Sequence, residues 1–334
     1  ILIASCKQTE NNEITQKNIL EIAGMVWIPG GTYDMGASEG DGMALPHEKP
    51  KHTVKVDGFY MDVTEVTNAE FSKFIDATNY VTTAERPVDW ELIKLQLPPG
   101  ALKPHDSLLR PGSLLFKKAK ESIPNLYDFS QWWKWTVGAN WQEPEGQGSS
   151  IVEKDNHPVV HVSYEDAMAY CNWAGRRLPT EAEWEFAARG GKQDNIYFWG
   201  NSTDKLSSYV NSWEGEFPVD NTQADGFEKS APVKTYPSND YGLYEISGNV
   251  WEWTSDWYSS NYYEECLSTP VTNNPKGPDK AYNPNSPYIE ERVIRGGSFL
   301  CNASYCASYR VSSRMATDPD TSLEHLGFRT ALSK

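Results

Sequence analysis

The 334-residue chain has little cysteine, no long apolar run and too few basic residues to balance its acidic ones. Its five cysteines are too few and too scattered for a disulfide scaffold, and their odd number leaves at least one unpaired. No uninterrupted apolar stretch could span a bilayer as a helix. The formal net charge is −16. Because phosphate contacts need a basic surface, this charge argues against nucleic acid or an anionic membrane as partner and favours a cationic peptide.

Aromatic residues and turn formers are abundant instead. The chain contains 13 Trp, 18 Tyr and 11 Phe, together with 24 Gly and 21 Pro. This combination is typical of a compact fold with much irregular backbone, in which aromatic rings pack between loops. The length admits two average domains or one large domain with long loops.

The first residues carry a targeting signal. Residues 1–6 are apolar and then small, they end in Cys6, and a polar stretch follows at once. This pattern resembles the lipobox of a bacterial lipoprotein that lacks most of its signal peptide. We therefore predict a signal remnant and tether over residues 1–24, lipid on Cys6, and a folded part that faces the periplasm or outer envelope rather than the cytoplasm. The alternative is a trimmed N-terminus with an incidental cysteine.

Periodicity predicts a few regular elements. Strands are expected at 25–28, 32–36 and 52–56, and helices at 69–77, 164–174 and 181–189, the last two capped by Ser163 and Thr180. Residues 86–130 are interpreted as a variable loop region with a short helix or two. The dense tryptophans at 132–141 suit a surface groove, although burial is the commoner use. His47, Glu48 and His52 are interpreted as solvated loop residues rather than metal ligands.

Cys301 and Cys306 form the most informative pair. At five residues apart, neither a regular strand nor a helix brings both sulfurs to one point, so residues 302–304 must bend if the sulfurs meet. Two converging thiolates suit Cu(I) and leave a coordination position for a third sulfur. Two unrelated buried cysteines and a simple disulfide are the alternatives.

Two loops mix side-chain oxygens with glycine turns, which is the ligand style of Ca²⁺. One contains Asn211, Ser212, Asp225 and Phe227; the other contains Glu245, Gly248, Val250 and Glu252. Neither matches an EF-hand, and ordinary turn chemistry is the alternative. Residues 258–291 are rich in Pro, Asn, Tyr and Ser and are interpreted as a surface insertion.

Seven blocks, in order, resemble the formylglycine-generating enzyme (sulfatase-modifying factor) family. They lie at 25–31, 65–68, 138–141, 157–163, 177–185, 248–253 and 295–298, and include the motifs Arg-Leu-Pro-Thr-Glu-Ala-Glu-Trp-Glu, Gly-Asn-Val-Trp-Glu-Trp and Arg-Gly-Gly-Ser. The resemblance covers roughly residues 25–331. It implies a single α+β domain over residues 25–334, related to C-type lectins and poor in regular secondary structure.

The resemblance also implies an activity, because active members carry Cys-x-x-x-x-Cys after Gly-Gly-Ser and Cys301 and Cys306 occupy both positions. It implies a copper-dependent oxidase that uses O₂ and a thiol reductant to convert the cysteine of a sulfatase's Cys-x-Pro-x-Arg segment to Cα-formylglycine. Ser298 and Tyr305 match family positions beside the cysteines, and Trp251 would wall the substrate pocket. A structural turn role is the alternative for Ser298, and core packing for Trp251.

Two structural Ca²⁺ sites are implied as well. The first maps to the side chains of Asn211 and Asp225 with the carbonyls of Ser212 and Phe227. The second maps to Glu245 and Glu252 with the carbonyls of Gly248 and Val250. Glu245 departs from the family's Asn, and Asn302 stands where a His is often found. Ala187, Val311 and Thr330 replace disulfide positions of animal members, which implies that Cys171 is a free thiol.

Two other functions compete with the oxidase. Some bacterial envelope lipoproteins use this domain as a non-catalytic part of motility or secretion machinery, and Cys6 fits them, but such a role has no need of the cysteine pair. The related iron-dependent sulfoxide synthases rely on an additional His-rich domain. The six His here are dispersed, which disfavours that class.

Overall fold

The computed structural model describes residues 22–126 and 128–334, so the predictions on Cys6 and the lipobox lie outside the described residues. The helices are α1 (Asn68–Thr78), α2 (Trp90–Ile93), α3 (Tyr164–Ala174), α4 (Glu181–Arg189) and α5 (Tyr262–Cys266). The strands are β1 (Met25–Ile28), β2 (Gly31–Met35), β3 (His52–Val56), β4 (Phe59–Asp62), β5 (Gly112–Phe116), β6 (Trp133–Val137), β7 (Trp251–Trp257), β8 (Thr272–Asn273), β9 (Arg292–Arg295), β10 (Arg314–Thr317), β11 (Leu326–Gly327) and β12 (Ala331–Ser333).

These strands form small sheets rather than one large one. Their orders are β1-β4-β12, β10-β9-β7-β11, β2-β3-β8 and β5-β6. The second sheet is mixed, because β7 pairs antiparallel with β9 and parallel with β11. Within the described chain, no helix combines the length and the hydropathy that a membrane span requires. The fold is a single α+β domain poor in regular structure, as predicted.

The long helices begin where their capping residues predict. Thr67, Ser163 and Thr180 each accept a hydrogen bond from a backbone N–H in the first turn, which satisfies one of the free donors of a helix start. Gly175 and Gly190 end α3 and α4 in the left-handed conformation. Phe71 and Phe74 of α1 are buried and contact Tyr170 of α3.

Two predictions on loops need correction. Residues 86–130 contain the short helix α2, as expected, but also strand β5, which was not predicted. Strand β5 pairs with β6 in the tryptophan-rich segment, and the two strands form a hairpin. Glu48 is fully buried rather than solvated, because both of its carboxylate oxygens accept hydrogen bonds from the Arg310 guanidinium, at 2.6 and 2.7 Å. A buried carboxylate needs such a partner, and this partner lies 262 residues away in sequence.

Candidate functional site

The Cys301–Cys306 loop bends as the spacing requires. The Asn302 carbonyl accepts hydrogen bonds from the N–H groups of Tyr305, Cys306 and Ala307, at 2.9–3.0 Å, which turns the chain back on itself. The two sulfurs are joined as a disulfide. Of the two alternatives, unrelated cysteines are therefore excluded, whereas a disulfide is the state observed. The pair offers no thiolate until two electrons reduce this bond. Cys301 is buried and Cys306 is half-buried.

Buried ion pairs fix the chain on both sides of this loop. Before it, the Arg295 guanidinium contacts Glu181 and Glu185 at 3.0 and 2.6 Å; after it, Arg310 contacts Glu48. All of these side chains are at most 1% exposed, so breaking one pair would leave an unpaired charge in the interior. The cysteine loop therefore projects from two rigid anchors.

A groove of about 860 Å³ opens beside the cysteine loop. Its walls are mostly apolar and aromatic, and no Asp, Glu, Lys or Arg of the described residues lines it. The hairpin side contributes Leu114, Pro124, Leu126, Phe129, Ser130 and Trp133, and the cysteine side contributes Ser298, Leu300, Cys301, Ser304, Tyr305 and Cys306; Trp251, Ile294, Met315, Ala316, Thr317, Leu323 and His325 complete it. Such a cleft suits a peptide with apolar contacts.

All five residues predicted for catalysis or substrate binding line this groove: Cys301, Cys306, Ser298, Tyr305 and Trp251. The backbone N–H of Ser298 donates to the Cys301 sulfur at 3.4 Å, while its hydroxyl accepts from Leu300 N–H, so the side chain also serves the turn. Tyr305 stacks on Phe217 with 4.3 Å between ring centroids, and burial raises the pKa of its hydroxyl to about 12. Trp251 is 4% exposed, so it packs in the core and also forms part of the groove wall.

His325 is the main groove residue that the sequence did not reveal. Its ring lies 4.9 Å from that of Trp133, and its Nδ1 is buried without a hydrogen-bond partner. Burial lowers the pKa of His325 to about 3, so the imidazole is neutral at physiological pH. A lone histidine before Leu-Gly-Phe-Arg gave no signal in the sequence, whereas Trp133 and Phe129 belong to the tryptophan-rich region where a groove was considered.

The donor set at the cysteine loop fits copper once the disulfide is reduced. Two sulfurs converge on the groove, and soft thiolates are the ligands that Cu(I) prefers. No groups of three or more His, Cys, Asp or Glu suited to a metal occur among the described residues. The other described cysteines, Cys171 and Cys266, are free and buried. Burial raises the pKa of the Cys171 thiol to about 12, which keeps it protonated.

The first predicted calcium loop also fits a cation. The Asn211 Nδ2 donates to the Lys229 carbonyl at 2.8 Å, which turns the amide oxygen away, and that buried oxygen has no hydrogen-bond partner. The Asp225 carboxylate accepts from the N–H groups of Ser212 and Phe227 at 2.9 and 3.0 Å. Burial raises the pKa of Asp225.

The second loop holds more negative charge than the sequence suggested. Glu252 pairs with the Arg329 guanidinium through both oxygens at 2.7 Å. Glu245 accepts from the N–H groups of Lys234 and Tyr236. Glu65 adds a third buried carboxylate, and its Oε2 has no partner. Burial and then Glu245 raise the pKa of Glu65, because three buried carboxylates share the Arg329 guanidinium.

The 258–291 insertion lies elsewhere. Its strand β8 extends the β2-β3 sheet, and Asn274, Pro275 and Lys276 line a different cleft of about 750 Å³. None of the described residues that line the cysteine groove belongs to the insertion.

Comparisons with known proteins give a consistent result. A family model described as "Sulfatase-modifying factor enzyme 1-like domain" matches residues 10–334. Formylglycine-generating enzyme from Mus musculus is 45% identical over 313 residues, which are 93% of this chain and 76% of that protein. The enzyme of that name from Thermomonospora curvata is 42% identical over 96% of this chain and 97% of its own.

Two further matches limit what similarity implies. Inactive C-alpha-formylglycine-generating enzyme 2 from Mus musculus is 38% identical over 92% of this chain and 85% of its own. The structure of PvdO from Pseudomonas aeruginosa superposes with a TM-score of 0.62 at 21% identity, over 93% of this chain and 94% of that one, which indicates a shared fold alone. The residues of the site therefore have to decide the chemistry.

Proposed function

Since the chain belongs to the sulfatase-modifying factor enzyme 1-like domain family, we propose that it oxidises the cysteine of a sulfatase Cys-x-Pro-x-Arg segment to Cα-formylglycine, with Cu(I), O₂ and a thiol reductant. The observation that carries the proposal is the pair of sulfurs that meet at the peptide-sized groove. A purely structural domain has no need of both cysteines there. The lipid on Cys6 and an envelope location stay predictions.

The cysteine pair would hold the metal. After reduction, the thiolates of Cys301 and Cys306 would bind Cu(I), and the bound metal would supply activation of O₂. The N–H of Ser298 donates to the Cys301 sulfur, and after reduction the same N–H could donate to the Cys301 thiolate. Cys306 is the more exposed of the two and faces the groove, where the substrate thiol would enter.

The electron balance requires the reductant. The substrate loses one hydrogen from Cβ and one from sulfur to become a thioaldehyde, two thiols lose two more as they join in a disulfide, and the four reduce O₂ to water. Water then adds to the thioaldehyde carbon, which releases H₂S and leaves the aldehyde. Tyr305, protonated at neutral pH, can donate a hydrogen bond to a reacting group, and the apolar walls limit competing water.

The two calcium ions complete the proposal as structural ions. Asn211 and Asp225 with the carbonyls of Ser212 and Phe227 would hold one. Glu245 and Glu252 with the carbonyls of Gly248 and Val250 would hold the other, with Glu65 close by.

The test is the conversion of a synthetic Cys-x-Pro-x-Arg peptide by copper-loaded protein in air with a thiol reductant, measured by mass spectrometry. Cys301→Ser and Cys306→Ser should each abolish the aldehyde product, because each removes one thiolate. Cys266→Ser is the matched control, since that thiol is buried away from the groove, and should convert the peptide normally.

Other results would redirect the assignment. Copper binding without conversion would point to a different peptide or a binding role. A protein that binds no copper would make the non-catalytic envelope lipoprotein the better description.

A further inference from the structure

The loop that carries the first calcium prediction contains more ligand oxygens than the resemblance assigns. Besides the Asn211 amide oxygen, two buried side-chain oxygens of this loop have no hydrogen-bond partner: Ser212 Oγ and Glu214 Oε2. Ser212 is fully buried and Asn211 is 1% exposed. Burying a hydroxyl or carboxylate oxygen without a partner costs free energy, so three such atoms in four consecutive residues indicate a missing ligand.

Glu214 lies close to Asp225. Its carboxylate accepts hydrogen bonds from the backbone N–H groups of Ala224 and Asp225. Two neighbouring carboxylates repel each other, and a hard divalent ion is bound by oxygen ligands of this kind.

We propose that Ser212 Oγ and the Glu214 carboxylate are additional ligands of a calcium ion held by Asn211 and Asp225. The ion then has four side-chain donors, two of them carboxylates, besides the two carbonyls. This inference deepens the structural-ion part of the proposed function, but ion binding can be measured whether or not the protein converts a peptide.

The same loop supports the cysteine loop directly. The Trp213 N–H donates to the Cys301 carbonyl at 3.0 Å, and the Asn302 amide donates to the carbonyls of Trp213 and Gly215 at 3.0 and 3.2 Å. Asn302 thereby has a role of its own in this chain. An ion bound by Ser212 and Glu214, on either side of Trp213, would fix the backbone to which Cys301 and Asn302 are hydrogen-bonded.

Calorimetric titration of the calcium-free protein with Ca²⁺ tests the ligand set. Glu214→Gln keeps the size and removes the charge, and we expect it to weaken one class of site by about tenfold or more. Ser212→Ala should weaken the same class by a smaller factor. Asp225→Asn should abolish it, and Glu216→Gln, an exposed glutamate two residues further on, should leave it unchanged. Unchanged affinity in both Glu214→Gln and Ser212→Ala would overturn the proposal.

Hydrogen exchange tests the coupling without any assay of activity. Calcium should slow exchange of the Trp213 and Cys306 amides in the unmodified protein, and this protection should be lost in Asp225→Asn. Exchange at these amides that is indifferent to calcium, in a protein shown by titration to bind it, would refute the support of the cysteine loop. Circular dichroism of each variant confirms that it is folded.

Discussion

At the residue scale, tertiary partners decide the state of each functional group. His325 is neutral because it is buried beside aromatic rings and a second buried histidine, His161. Glu48 can be buried because the Arg310 guanidinium, far along the chain, donates hydrogen bonds to both of its carboxylate oxygens. The sequence showed that the cysteine loop had to bend, because spacing alone sets that condition. It could not show Glu65, whose importance depends on carboxylates 180 and 187 residues away.

Because of His325, we expect the folded state to lose stability in acid. Its pKa falls from 6.5 to about 3 on folding, so the unfolded chain binds the proton more tightly and stability is lost as pH falls below about 6.5. At pH 5 this loss is about 2 kcal/mol. His325→Asn should remove it, and urea unfolding at pH 7.5 and pH 5 measures the difference between the two proteins.

The same substitution has a second readout. Because the imidazole lines the groove, His325→Asn should also change the KM of the peptide more than kcat. An equal loss of stability on acidification in both proteins would contradict the buried neutral histidine.

At the element scale, the sequence predicted element boundaries correctly where neighbouring residues determine them. The caps of α3 and α4 were predicted because the capping residue and the first turn are neighbours in sequence. Strands β5 and β6 were missed because their pairing spans a long polar hairpin, and neither strand alternates strongly enough to identify it. For the same reason the hairpin wall of the groove was not foreseen.

Gly248 lies where the two loops predicted to bind calcium pack against each other. A Cβ there would lie 2.3 Å from the Asn211 carbonyl oxygen, and φ is +73°. Gly248→Ala should therefore lower the free energy of unfolding by roughly 2–5 kcal/mol, through overlap and backbone strain together. The measurement is denaturant unfolding at fixed pH.

Gly175→Ala is the matched control for this change. Gly175 has φ of +65° with nothing within 4 Å, so the substitution should cost only the strain, about 1 kcal/mol. Equal costs for the two variants would mean that the loops separate without penalty.

At the scale of the whole molecule, we expect the net charge and the groove to act on different parts of the proposed substrate peptide. The groove itself is uncharged, whereas the chain carries a net charge of −16. The arginine of the proposed substrate segment would consequently be attracted by the protein's overall field rather than by a carboxylate inside the groove.

This division predicts a salt effect on binding. The KM for an arginine-containing peptide should rise severalfold as ionic strength increases from about 20 to 300 mM, because screening weakens interactions beyond a Debye length of about 10 Å. A peptide with norleucine in place of arginine should show a much smaller rise. Equal salt dependence for both peptides would indicate that arginine is not recognised through long-range charge.

The β1-β4-β12 sheet has a consequence for engineering the chain. Strands β1 and β12 both pair with β4, so the first and last strands of the described chain lie on either side of one central strand. A linker of several residues could join Ser333 to Met25, and new ends could be opened in the exposed part of the 258–291 segment, which lies outside the cysteine groove. Such a circular permutant would keep the groove, the two loops predicted to bind calcium and the cysteine loop within one uninterrupted fold.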